Sequence, residues 1–191
     1  MTDWKQRLTS GLEPVLETAD PRTVISTYHD MPFAIFHYPP EEEFALRAEL
    51  ALMKTRLEQK GKRITTISLA ERLQAALAKE FPLDQQIEAE KSVGLTATVE
   101  TVHEVLSQYS PLDELVADAV PATSDPTRDL CFIVRVGALF PFYRTFSLLE
   151  QLKGKISIPT VLYYPGALDG PAGLRFMGVL DAEHNYRPKI F

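Results

Sequence analysis

Cysteine is nearly absent: the chain has one in 191 residues, Cys131. A disulfide within the chain is thereby excluded, and the apolar run "LCFIV" around Cys131 reads as the setting of a small buried hydrophobe rather than a reactive thiol. Histidine is scarce too. The four histidines, at positions 29, 37, 103 and 184, include no pair with zinc spacing, so they read as surface or packing residues and no metal centre is expected. No apolar run approaches the roughly 18 residues that span a bilayer, and "MTDWKQRLTSGLEP" has no signal-peptide core. A cytoplasmic location is expected. An excess of positive charge is missing as well: 20 Lys and Arg against 26 Asp and Glu give a net charge of −6. That balance opposes non-specific attraction to nucleic acid or an anionic membrane, leaving only a local basic patch to hold a phosphate. Neither direct DNA binding nor a membrane partner is expected.

What is present is the composition of a folded globular chain, 45% hydrophobic and 24% charged, long enough for one domain over 1–191 with a sizeable core. Trp4, Leu8, Leu12 and Val15 share a helical face, so the spacing predicts an N-terminal helix over 3–17. "FAIFHY" (33–38) reads as a buried strand stopped by Pro39 and Pro40, and Pro40 followed by Glu41, Glu42 and Glu43 opens a helix running to about 60. Its buried stripe is Leu46, Leu50, Met53 and Leu57, with Gly61 as C-cap. "RITTIS" (63–68) predicts a second strand and "LAERLQAALAKEF" (69–81) a second helix. No strand is convincing over 84–120, which reads as a helical insertion broken near Gly94 and Pro111, and "PATSDPTR" (121–128) reads as a loop.

Strands return in the last third. "LCFIVRVGAL" (130–139) has the continuous apolar run of a strand buried on both faces. A helix at about 142–153, a strand over 158–166 and another over 173–180 follow, the last reached through the turn "PGALDGPAG", while the tail "DAEHNYRPKIF" is too short to assign. Strand–helix alternation predicts an α/β fold: an open, doubly wound, mostly parallel sheet of about five strands with helices on both faces. Such sheets bind ligands beyond the carboxyl ends of their strands.

The catalytic readings of that edge fail residue by residue. A phosphate-binding loop needs glycines, a lysine and a Ser or Thr, whereas the first strand–helix joint is "HYPPEEEF", with carboxylates where a triphosphate's charge would sit. Gly61–Lys62 leads from helix to strand, the wrong order, and the strand "LCFIVRVG" ends in Arg135 and Gly137 where a metal-binding acid is needed. "PGALDGPAG" fails the dinucleotide fingerprint, Glu58–Gln59–Lys60 lacks a strand-borne acid for a nuclease, and Ser147 is ordinary helix surface outside any Gly-x-Ser-x-Gly elbow. The carboxylates Glu41 to Glu43 complement a helix dipole. What remains at the strand ends is Tyr38, Arg135 with Tyr143 and Arg144, and Tyr163 to Gly166, side chains that favour protein interfaces. The internal alternative pairs Arg135 or Arg144 with a carboxylate such as Glu41 and puts the tyrosines at core edges.

The stretches "RVGALFPFYR", "LYYPG", "LRFMG" and the closing "NYRPKIF", within 135–191, resemble the C-terminal half of the BrxB family. These are small proteins of the bacteriophage exclusion (BREX) defence systems. "PFAIFHYPPEEEF" and the helix after it are similar to the family less sharply. The resemblance implies a cytoplasmic bacterial protein needed for restriction of phage infection, working beside a large ATPase, a DNA methyltransferase and a phosphatase-like PglZ protein. It supplies no catalytic residues and no cofactor. Joined to the missing nucleotide machinery, it implies a non-catalytic adaptor whose partners are other BREX proteins, the PglZ-like protein first among them. Arg135, Tyr143, Arg144, Tyr164 and Arg187 are then the contact or structural residues. The alternative, from another class, is a degenerate nucleotide-binding protein or NTP sensor using the same crevice.

Overall fold

Trp4, Leu8, Leu12 and Leu16 are all buried, a ladder of strict four-residue spacing. A regular α-helix rotates such a ladder by about 40° per step. Helix α1 (3–17) absorbs the drift in a wide turn over Arg7–Leu12, where the Glu13 N–H reaches back to the Leu8 carbonyl, and so keeps the ladder on one side. Leu16 thereby takes the inward place expected of Val15, which is half-buried.

The computed structural model describes residues 3–26, 31–81, 83–170, 173–184 and 186–191; His29, Asn185 and the tip of "PGALDGPAG" at 171 and 172 lie outside them. After α1 come the short α2 (Arg22–Ile25) and β1 (Phe33–Tyr38), then a three-ten turn at Pro40–Glu42 leading into α3 (Glu43–Gln59). The β-branched run and the apolar run that follow form β2 (Arg63–Ser68) and α4 (Leu69–Glu80), with the Ser68 hydroxyl accepting from the Glu71 N–H as N-cap. The insertion is α5 (83–109), broken at Gly94 where φ is 81°, and α6 (Leu112–Ala117). β3 (Asp129–Val134), α7 (Thr145–Gln151), β4 (Thr160–Asp169), β5 (Gly173–Phe176) and β6 (Lys189–Ile190) complete the order.

The sheet runs β2-β3-β4-β1-β6 with every neighbour parallel, and β5 adds an antiparallel hairpin on the end of β4. The mostly parallel α/β architecture expected from the alternation is present. Three boundaries differ from the sequence reading. The strand expected over 130–139 stops at Val134, because Arg135 turns left-handed (φ 56°, ψ 38°) and sends Val136 and Leu139 down into the core through a three-ten turn. The helix expected over 142–153 is confined to Thr145–Gln151, and the strand over 173–180 to its first four residues. The unassigned tail supplies β6, held beside β1 by Arg7, whose guanidinium donates to the Phe191 and His37 carbonyls at 2.7 and 3.0 Å.

The two-residue strand period sorts the core into two clusters. On one face Ala34, Phe36, Leu130, Phe132, Val161 and Tyr163 pack against α1 and α3. On the other, Phe33, Ile35, Cys131, Ile133, Leu162 and Tyr164 pack against residues from α4 to α7. Cys131 is fully buried, and burial pushes its thiol up to about 12, in keeping with a packing role. Each large apolar side chain so enclosed contributes about 2 kcal/mol. Bidentate pairs lace the layers: Arg56 of α3 to Glu13 of α1 at 2.6 and 2.7 Å, and Arg63 of β2 to Asp129 of β3 at the same distances.

Candidate functional site

The carboxyl ends of β1, β3 and β4 form one edge. From β1 the chain leaves into α3 on one face; from β3 it leaves toward α7 on the other. Opposed departures open a crevice beside β1 and β4, the place where open α/β sheets hold ligands.

Its first wall is the β1–α3 joint. Tyr38, fully buried at the strand end, donates its hydroxyl to the Glu43 carboxylate. Burial and that bond both push the phenol above its ordinary value, so it stays a proton donor. Pro39 is extended, and Pro40 with Glu41 and Glu42 makes the three-ten turn. Where a phosphate loop would present glycine N–H groups and a lysine, this joint presents proline rings and carboxylates. In the second wall β4 continues past Tyr164 and Pro165 into its hairpin with β5. Gly166 is required there, since a Cβ would meet the Arg175 carbonyl at 2.3 Å and the Tyr164 ring at 2.6 Å. His37 lies between the two walls. Burial, then the Arg7 cation, lowers it to about 4, so it is neutral near pH 7. A recess of about 450 Å³ lies over Trp4, Arg7, His37 and Gly166, and a second of about 290 Å³ over Pro40, Phe44, Arg135, Pro165 and Met177. Among the described residues no group of three or more His, Cys, Asp or Glu side chains is placed to hold a metal ion.

Of the residues singled out by the sequence, Arg144 and Tyr164 come together. Arg144, exposed, pairs with Glu183 at 2.9 Å; Glu183 also accepts from the Tyr186 hydroxyl at 2.7 Å, and Tyr186 lies 3.2 Å from the Thr145 hydroxyl. Tyr164, fully buried, packs its ring on Phe176 and Tyr186 with centroids 5.4 and 6.3 Å apart. Arg144 thus finds Glu183, not Glu41. Tyr143 lies elsewhere, buried under α5, donating to Gln151 at 2.5 Å with its ring 5.5 Å from His103. Arg187 is exposed in the tail. Arg135 stands alone at the end of β3, half-buried, with no ion pair or side-chain hydrogen bond among the described residues.

Sequence reasoning missed three neighbours of Arg135. Arg47, Lys54 and Phe44 of α3 lie on the surface running past it. The signal was present in the helix: Phe44 and Leu52 fall opposite the stripe Leu46, Leu50, Met53 and Leu57, giving α3 apolar residues on both sides.

Fold and edge together define an α/β protein with a mostly parallel sheet flanked by helices, whose β1 end carries prolines and carboxylates. The family model for "BREX protein BrxB" matches residues 65–190, two thirds of the chain. A BREX protein BrxB of Bacillus cereus (strain H3081.97) is 27% identical over 161 residues, covering 83% of this chain and 82% of that protein. The chain belongs to the BrxB family. No solved structure matches it. Among the described residues no helix is long and apolar enough to cross a membrane.

Proposed function

We propose that the chain acts in BREX phage defence as a non-catalytic adaptor in the cytoplasm, working as one folded unit, required for restriction of infecting phage and joining other BREX proteins instead of turning over a substrate. The PglZ-like phosphatase-fold protein is its first partner in this reading, ahead of the large ATPase and the methyltransferase. The observation that carries the adaptor role is the content of the crevice. The edge where open α/β sheets hold ligands carries, at the end of β1, the Tyr38–Glu43 pair and the turn from Pro40 to Glu42, whose carboxylates repel phosphate. Family membership supports the defence context. Arg135, Arg144 and Arg187 serve as contact residues, while Tyr143 and Tyr164, being buried, brace the scaffold behind them.

Affinity purification of the tagged chain expressed with its native operon, followed by light scattering of the eluted species, tests the reading. A stoichiometric complex containing another BREX protein is expected. Elution as an isolated monomer, with heat released on titrating ATP, would replace the adaptor with a nucleotide sensor.

A further inference from the structure

Helix α3 has a second apolar face. Phe44 and Leu52 are 80% and 56% exposed, with exposed Ala48 and Ala51 between them on the side opposite the buried stripe. A surface helix of a globular protein normally turns charge to solvent there, and a helix apolar on both sides is one that is covered on both sides.

A groove runs along the flank of α3 that carries Arg47, Ala51 and Lys54. It measures about 400 Å³ between α3 and the strands β2 and β3, with Leu50, Phe132 and Val134 in its floor and wall, and Thr66 of β2 exposed within it. The reason is a thin place in the layer: α1 and α3 cover the sheet from β3 toward β6, and on β2 they reach Ile64 but leave Thr66 exposed. Arg47 and Arg135 line both this groove and the recess holding Phe44, so the two are continuous.

The rim is positive in a chain whose net charge is −6. Arg135 is held left-handed, at a cost of about 1 kcal/mol, and its guanidinium is unpaired among the described residues. Among the described residues Arg47 meets the Phe44 ring, 5.8 Å from its centroid, and Lys54 the exposed Glu58 at 3.9 Å. Glu71 is the acid lining the groove, and Glu43, which accepts from the Tyr38 hydroxyl, the acid lining the recess.

The geometry points to a docking site for an amphipathic helix of a partner protein, its apolar face laid along Phe44 and Ala51 over β2 and its flanking carboxylates meeting Arg47, Lys54 and Arg135. Such a helix completes the missing part of the layer, which is the helix-in-groove mode of recognition. Charge complementarity selects an acidic flank, and the large exposed apolar side chains favour a protein over a phosphate backbone. This assignment rests on the adaptor reading and gives it a surface and a partner chemistry.

The test uses the full chain expressed with its native operon. A photo-crosslinking residue at Ala51, and separately at Thr66, is expected to join one operon-encoded protein at a segment whose carboxylates recur every three or four residues. The combined substitution Arg47→Glu, Lys54→Glu and Arg135→Glu is expected to cut co-elution of that protein at least about tenfold while leaving the melting temperature unchanged, and Tyr109→Glu, on the 59% exposed residue of α5, is expected to leave co-elution intact. Charge reversal of the crosslinked carboxylates should restore co-elution of the triple variant. A complex that forms and survives the triple substitution sinks this surface and leaves the adaptor standing. Crosslinks to a second copy of the chain, or to nucleic acid, overturn the proposal in favour of those occupants. A wild-type chain that co-elutes with nothing removes the adaptor reading, and this surface with it.

Discussion

The two faces of the sheet are closed to different degrees. On one, residues from α4 to α7 seal Ile35, Ile133, Leu162 and Tyr164 from β1 to β4. On the other, α1 and α3 cover β2 only in part, with Ile64 packed and Thr66 exposed, and α3 itself turns Phe44 and Leu52 outward. The strands contribute alternating side chains to both faces, so the difference comes from the helices and from how many of them one chain supplies. An incomplete layer bordered by a doubly apolar helix is a surface shaped for assembly, whereas the complete layer is shaped for stability.

That contrast can be broken first at its strongest point. Leu162→Ala on the sealed face and Leu57→Ala on the inner side of α3 should each cost about 3 kcal/mol in urea unfolding, since both residues are fully buried. A loss below about 1 kcal/mol at Leu162 would mean the sealed face is not sealed.

A pH series probes the crevice between the faces. His37 titrates near 4 in the fold and near 6.5 when unfolded, so below pH 6.5 the unfolded chain takes up the proton first. Stability should therefore fall as pH drops from about 6.5 to 4, by on the order of 1–2 kcal/mol after discounting for solvent screening. His37→Asn should flatten that slope, and an unchanged slope would place its origin in other groups.

Glu13→Ala should cost about 1 kcal/mol, because Glu13 is buried but the freed Arg56 is partly exposed and regains water. Tyr163→Phe is expected to be neutral or stabilising by less than about 1 kcal/mol, since its buried hydroxyl has no hydrogen-bond partner among the described residues. Smallest of all is Leu52→Ser, within about 0.5 kcal/mol of wild type in the isolated chain. A large loss there would show that α3 buries its outer side in the free protein.

Much of the fold was legible because its signals are local. The β1 run "FAIFHY", the proline–glutamate opening of α3, its Leu46-to-Leu57 stripe and the glycine at 61 each specify their element within a few residues, and the structure repeats them nearly to the residue. The left-handed turn at Arg135 was not legible, since nothing in an arginine announces positive φ; what forces it is the pull of Val136 and Leu139 into a core assembled from distant strands. β6 was missed for a similar reason: two residues with no periodicity become a strand only because β1 offers them an edge. At the candidate site the sequence placed Arg135 and Arg144 at strand ends. It could not separate Tyr143 and Tyr164, sealed in the core, from Phe44, left outside, because burial depends on which helices reach each face.

The register Phe33↔Thr160 has a temporal side. β1 emerges early in synthesis, yet among the described strands both its neighbours, β4 and β6, come from the last third of the chain. Until β4 arrives, one of the most apolar strands of the protein waits with both its edges bare, and β2 and β3 can already have paired beside the gap. Sheet closure is then an insertion, β4 sliding between β3 and β1, and it is a long-range event of the slow kind. Nascent chains stalled before Thr160 should bind chaperones through "FAIFHY" and release them once β4 is made.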